Sequence, residues 1–355
     1  MKKIRIGIIG QGRSGWDIHG VALKRPKLME RFQVVAVSDR LPDRMEDAAK
    51  EFSCKKYEDY RDLLKDPEVE LVVNASQSPD HIPLSIEAME AGKMVLCEKP
   101  LAPNVEAVEK LEAAIARTGK FFAVFQQSRF APTYRKVLEV MNSGLLGRIV
   151  MVKVAFNGFA RRWDWQTLQS MNAGSLLNTG PHPLDQALQL MGNVMPEKIV
   201  CYMDRANTFG DAEDHVKVLM SAAGHPVVDL EVSSCSLFNP YVYQVYGTCG
   251  SLLGDHNKLQ WKFYDPQEAP VQKLIRTPLE GRAYCSEELS FYEGEWSTSK
   301  EGADFHSRVE KFYLNLYDAI LHGAPLEVPL CQVKRQIAVI EECHRQNPLS
   351  RLDEE

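Results

Sequence analysis

Ile4-Arg5-Ile6-Gly7-Ile8-Ile9-Gly10-Gln11-Gly12-Arg13-Ser14-Gly15 is the stretch that decides the fold. Its first half is a short apolar run of strand length, rich in β-branched isoleucine. Its second half is a G-x-G-x-x-G turn that opens onto a helical pattern. The first glycine permits the tight turn, the second lets a pyrophosphate approach the backbone, and the third lets helix and strand pack closely. A phosphate then sits on the helix N-terminus, where backbone N–H groups point outward. Gly10, Gly12, Arg13, Ser14 and Gly15 are therefore candidate cofactor contacts.

Outward from this turn, strand and helix patterns alternate. A helix is expected over Ser14 to Lys24, stopping before Pro26, and a second strand over Gln33 to Ser38. Helices follow at Arg44 to Phe52, Tyr60 to Leu64, Pro83 to Ala91 and Asn104 to Thr118. Strands fall at Val69 to Ala75, Met94 to Cys97 and Phe121 to Phe125. Alternation of this kind predicts a doubly wound parallel sheet, a Rossmann domain over residues 1–126. Asp39 ends the second strand, where a carboxylate can accept hydrogen bonds from both ribose hydroxyls. That carboxylate repels a 2′-phosphate, so NAD is favoured and NADP is the alternative. Arg40 either stacks on adenine or offsets part of the repulsion.

After Gln126 the pattern changes. A helix is expected at Thr133 to Ser143, a strand at Ile149 to Asn157 and a continuous helix over Ser175 to Leu190. Strands at Lys198 to Met203, Val216 to Ser221, Val227 to Ser236, Tyr241 to Tyr246 and Ser251 to Leu253 then follow on short turns, which favours antiparallel pairing. Helices at Phe305 to Leu321 and Val333 to His344 close the chain, after a long polar loop from Pro266 to Ala303. Residues 127–355 thus read as an α+β domain on a large, mostly antiparallel open sheet.

The 355 residues suit two domains, and 45% apolar with 25% charged residues is ordinary for a globular protein. A net charge of −6 without a basic block argues against nucleic acid. Arg5 and Gly7 break the first apolar run, so it is no signal-peptide core, and no run has the length of a membrane span. Eight scattered cysteines without a C-x-x-C pair read as reduced thiols of a cytoplasmic protein, and no metal site is expected.

Glu98-Lys99-Pro100, at the end of the strand Met94 to Cys97, together with the glycine turn resembles the Gfo/Idh/MocA oxidoreductases. Three more segments agree: Ala75-Ser76-Gln77-Ser78-Pro79-Asp80-His81, Gln127-Ser128-Arg129-Phe130, and Asn178-Thr179-Gly180-Pro181-His182-Pro183-Leu184-Asp185. The resemblance implies a cleft between the two domains, a sugar, inositol or polyol substrate, and hydride transfer to a nicotinamide. It also implies cofactor contacts at Ser76, Gln77, His81, Glu98, Lys99, Pro100 and Gln127. Homo-oligomers, dimers or tetramers, are expected through the C-terminal sheet.

Oxidising an alcohol needs a proton acceptor and a positive charge beside the developing alkoxide. His182 is the candidate base and Lys99 the candidate cation. The family often has Asp four residues before the histidine, where this chain has Asn178. A neutral amide cannot raise the histidine's pKa, so a less basic His182 or a larger base role for Lys99 is expected. Asp185, three residues on, either binds substrate or orients the imidazole, and Arg129 is a further substrate candidate. Trp163, Asp164 and Trp165 suit a carbohydrate surface, with aromatic faces against C–H groups. Two other readings remain: a redox-assisted glycosidase with no net redox, and a non-catalytic NAD(H) sensor.

Overall fold

A computed structural model describes residues 2–352, apart from 280 and 283. The N-terminal half is built on six parallel strands: β1 (Ile4–Ile9), β2 (Phe32–Ser38), β3 (Lys55–Tyr57), β4 (Leu71–Asn74), β5 (Met94–Cys97) and β6 (Phe122–Val124). Their order is β3-β2-β1-β4-β5-β6. β1 is central, and Ile4, Ile6 and Ile8 are all but sealed from solvent. Each such side chain contributes roughly 2 kcal/mol of burial, so the isoleucines quoted above hold the sheet as well as signal it.

The order reverses between β1 and β4, which both pair in parallel through Ile6–Ile9 and Leu71–Asn74. At such a switch point the loops after the strand C-termini part and leave a crevice. The loops following β1, β2, β4 and β5 carry Gly10, Asp39, Ser76 and Lys99 respectively. Residues spread over ninety positions of sequence thereby meet at one edge.

The second sheet has eight strands: β7 (Ile149–Asn157), β8 (Lys198–Asp204), β9 (His215–Ser221), β10 (Val227–Ser233), β11 (Tyr243–Gly247), β12 (Gly250–Gly254), β13 (Lys258–Phe263) and β14 (Tyr292–Ser297). They run β14-β13-β12-β11-β7-β10-β9-β8. All pairs are antiparallel except β7 with β10, which run parallel at the centre. One face is apolar through Val152, Val154, Val216, Val218, Val228 and Leu230, and helices cover it.

Three expectations need correction. The first helix is not α throughout: Ser14–Gly20 takes the wider π geometry before an α turn at Val21–Leu23. Such widened turns collect at functional sites. The helix over Ser175 to Leu190 is two, Ser175–Asn178 and Pro181–Leu190, because Pro181 has no N–H to continue the hydrogen-bond ladder. The polar loop from Pro266 to Ala303 contains β14 and a short helix, Lys300–Ala303; its residues 280 and 283 lie outside the described residues.

A cut after residue 126 separates the sheets but not the packing. The helix Phe305–His322 lies on the parallel sheet, with Phe312, Tyr313 and Tyr317 in one core with Ile4, Ile8 and Phe32. Arg25 holds it from outside, 2.8 Å from Asp304 and 2.7 Å from Glu310. The last helix, Leu330–Gln346, bridges in the same way: Lys334 pairs with Glu112 at 2.8 Å, while Gln346 donates to the Ile199 carbonyl at 2.9 Å.

Candidate active site

A cleft of about 1100 Å³ runs from the glycine turn to the second sheet. Its nucleotide end is shaped by backbone. Gly10 has φ +89°, and a Cβ there would strike the Ala75 carbonyl; one on Gly15 would overlap the Gly10 carbonyl oxygen. At Gly12 a Cβ would meet only the Arg44 guanidinium, at 3.6 Å. The turn is closed where strand and helix must touch and open where a pyrophosphate must lie, which fits a dinucleotide. The Asp39 carboxylate is fixed by main chain, accepting from the N–H of Gln11 at 2.5 Å and of Leu41 at 2.8 Å. Arg40 turns away to Asp80, at 2.9 Å on the exposed rim.

Arg13, Ser14, Ser76, Gln77, His81, Glu98, Lys99 and Gln127 all line the cleft. His81 does so with both ring nitrogens engaged, 2.6 Å from the Pro100 carbonyl oxygen and 3.1 Å from that of Ser76. It therefore braces two loops against each other. Pro100 contributes that carbonyl and does not line the cleft. Gln127 Oε1 is buried with no hydrogen-bond partner among the described residues, an acceptor left for whatever binds there.

Glu98 is buried and stands 3.2 Å from His19 Nε2, while His19 Nδ1 reaches the Tyr313 hydroxyl at 2.8 Å. Burial pushes the Glu98 carboxyl up. The hydrogen bond and charge of His19, then the charge and N–H of Lys99, more than offset it and hold the group at about 2. Glu98 is thus a fixed anion under Lys99. The partners of His19 come from the end of β5 and from the helix Phe305–His322, far away in the chain.

Lys99 reaches across the cleft, its Nζ donating to the Asn178 backbone carbonyl at 2.7 Å. Burial lowers its pKa, and the charges of Arg13 and Arg162 add to that against the pull of Glu98. Asn178 donates through Nδ2 to the Gln166 carbonyl at 2.7 Å, while its buried Oδ1 has no partner among the described residues.

His182 faces the same space, but neither Asp185 nor Asn178 orients it. Gln126 does. Its Nε2 donates to the Pro181 carbonyl at 2.6 Å, so its Oε1 must accept from His182 Nδ1, at 3.1 Å. That sets the neutral tautomer and leaves Nε2 as an acceptor. Burial, then the charge of Lys99, pushes His182 down to about 3.

Asp185 and Arg129 stand apart from this group. They form a buried two-point ion pair, with Arg129 Nε and Nη2 at 2.7 and 2.6 Å from the Asp185 oxygens. Arg129 also donates to the Glu327 carbonyl at 2.7 Å. Neither lines the cleft, so both substrate assignments are corrected: the pair ties the helix Pro181–Leu190 to the segment entering the second domain. Of Trp163, Asp164 and Trp165, only Trp165 lines the cleft. Trp163 is exposed and packs edge-on against Phe209, and Asp164 grips Arg162 and caps the turn at Trp165. The cleft also takes in Tyr243, His256 and Arg308, which sequence reading passed over.

Comparison with known proteins agrees with this geometry. Residues 4–126 match the family model described as "Oxidoreductase family, NAD-binding Rossmann fold", and residues 134–253 match the "GFO/IDH/MocA C-terminal domain". The chain belongs to the Gfo/Idh/MocA family of oxidoreductases. Its N-terminal domain is an NAD-binding Rossmann domain. The chain is 33% identical to the trans-1,2-dihydrobenzene-1,2-diol dehydrogenase of Mus musculus over 227 residues, 62% of this chain and 66% of that one. It is 27% identical to dehydrogenase aclE of Aspergillus oryzae, over 86% of this chain and 88% of that one. The match spans just under two-thirds of the length of the mouse enzyme. The same fold occurs in GenD2 from gentamicin A biosynthesis, solved in complex with NAD, at a TM-score of 0.75 and 21% identity, covering 98% of this chain and 94% of that one.

Proposed function

We propose that this chain is an NAD-dependent dehydrogenase that oxidises a carbinol carbon of a sugar, inositol or other vicinal diol. The observation that carries the reading is Lys99: a half-buried amine with a lowered pKa, fixed on the Asn178 carbonyl, at the end of the cleft opposite Asp39. NAD held along the Gly10–Gly15 turn and Asp39 would supply the acceptor for the hydride of the carbinol carbon. The hydroxyl proton goes to the neutral amine of Lys99, and the C–O bond becomes a carbonyl. Lys99 as ammonium then hydrogen-bonds the new carbonyl oxygen, and in the reverse direction it returns the proton. His182, at about 3, is too weak a base to keep that proton near neutral pH. Its Nε2 instead accepts a hydrogen bond from a substrate hydroxyl, and the unpartnered Oδ1 of Asn178 is placed to accept another.

The name of the mouse relative, a dihydrodiol dehydrogenase, favours a ring bearing adjacent hydroxyls, and Trp165 supplies aromatic surface for one. Asp39 favours NAD over NADP. The test is reduced-nicotinamide absorbance with NAD across sugars, inositols, sugar acids and cyclic diols. Oxidation by at least one is expected, rising with pH as Lys99 loses its proton and then levelling off. NAD bound with no turnover across the panel would overturn the reading. The outward face of the second sheet exposes Val200, Tyr202 and Leu219, and this apolar face supports association with a second copy of the chain. A solution mass at the 40.1 kDa of one chain would contradict that.

A further inference from the structure

The two ends of the cleft differ in charge. Around the nucleotide end, Asp39, Glu58, Asp80 and Glu87 stand among Arg40, Arg44 and Arg61. At the far end, beside His182, Tyr243 and His256, the lining charges are Lys99, Arg162 and Arg308, and the one lining carboxylate is Glu98, already bonded to His19. Two of these three cations have partners: Lys99 rests on the Asn178 carbonyl, and Arg162 holds Asp164 at 2.7 Å.

Arg308 is different. No carboxylate lies within ion-pair distance of it among the described residues, and its Nε is buried without a hydrogen-bond partner. The two acids nearest it in sequence are engaged elsewhere: Glu310 by Arg25 at 2.7 Å and Lys27 at 3.2 Å, and Asp304 by Arg25 at 2.8 Å and the N–H of His306. The Tyr243 hydroxyl offers no charge, since it donates to Gln186 Oε1 at 2.7 Å. Burial lowers the pKa of Arg308, yet a guanidinium stays charged in a protein. A half-buried cation that has lost part of its hydration without gaining an anion is destabilised, and an anion arriving in the cleft offsets that loss. Lys99, His182 and Arg308 line the same cleft, and the charges of both cations act on the imidazole.

We propose that Arg308 is the anion-recognition residue of this cleft, and that the substrate is a hydroxylated compound carrying a carboxylate or a phosphate monoester. The inference rests on the dehydrogenase reading above. The oxidised carbinol lies at Lys99 and the anionic group at Arg308, with His256 beside it. The planar fork of a guanidinium matches either anion through two parallel hydrogen bonds.

The experiment compares kcat/KM with NAD for gluconate and glucuronate against glucose, and for glucose 6-phosphate against glucose, in the wild type, Arg308→Met and Arg308→Lys. The wild type is expected to prefer one anionic arm by about a hundredfold, which also tells carboxylate from phosphate. In Arg308→Met the ratio of anionic to neutral kcat/KM should fall about a hundredfold, mainly through KM, and Arg308→Lys should recover part of it. Retained NADH fluorescence shows that a variant is folded. A wild type that prefers the neutral compound, or a ratio unmoved by Arg308→Met, overturns the inference while leaving the dehydrogenase intact. If nothing is oxidised, the dehydrogenase reading fails and binding decides alone. Glucuronate and glucose 6-phosphate are then titrated into the NADH complex, and Tm is followed. A rise in the wild type that is lost in Arg308→Met supports anion recognition, and no rise in the wild type overturns it.

Discussion

Asp39 holds its place through two main-chain N–H groups, so its charge is presented rigidly at the ribose end of the cleft. Arg40 does not neutralise it, because its guanidinium is paired with Asp80. Asp39→Ser removes the charge that a 2′-phosphate would meet. The ratio of kcat/KM for NAD over NADP should fall by about tenfold or more, on the order of 1.4 kcal/mol, and an unchanged ratio would remove Asp39 from cofactor choice. Asp39 was readable because its partner is local: a strand end at a fixed distance from a glycine turn. Gln126 was not. It meets His182 across 56 residues, and only its bond to the Pro181 carbonyl shows which end of its amide faces the imidazole. Arg308 was invisible for the same reason, since its neighbours come from β11, the segment before β13 and the helix Pro181–Leu190.

The helix Pro181–Leu190 shows how an element carries both chemistry and support. Its first turn presents His182 to the cleft, and one turn later Asp185 points into the core and takes Arg129. Spacing alone put both carboxylate and imidazole on one helix face, but it could not say which contact lay in the cleft and which in the interior. Asp185→Asn leaves a buried guanidinium without its counter-charge. It should cost about 3 kcal/mol of stability, read from urea denaturation, while kcat/KM of the folded fraction stays near the wild type. A stable variant with lost turnover would return Asp185 to the chemistry. The strands of the Rossmann sheet were legible because buried parallel strands are short, apolar and closed by turn residues. β13 and β14 were not, since their exposed alternate positions, among them Lys258, Lys262, Glu293 and Glu295, form cross-strand ion pairs that read as polar loop.

At the scale of the whole molecule, the site depends on two bodies that are interlocked. The helix Phe305–His322 follows the second sheet in sequence, yet completes the core under β1 and supplies Tyr313 to His19. Through His19 and Glu98 that contact reaches Lys99. The sequence divides cleanly where its pattern changes, but packing that crosses the division leaves no periodic signal. Lys99 is the residue on which the glycine turn, the Glu98 anion and the Asn178 carbonyl converge. The most direct test is turnover and NADH binding measured together in Lys99→Met. Turnover should fall about 10³-fold, within the usual range for loss of a general acid–base group, while NADH still binds and its fluorescence persists. A Lys99→Met enzyme that oxidises its substrate at the wild-type rate would contradict the account.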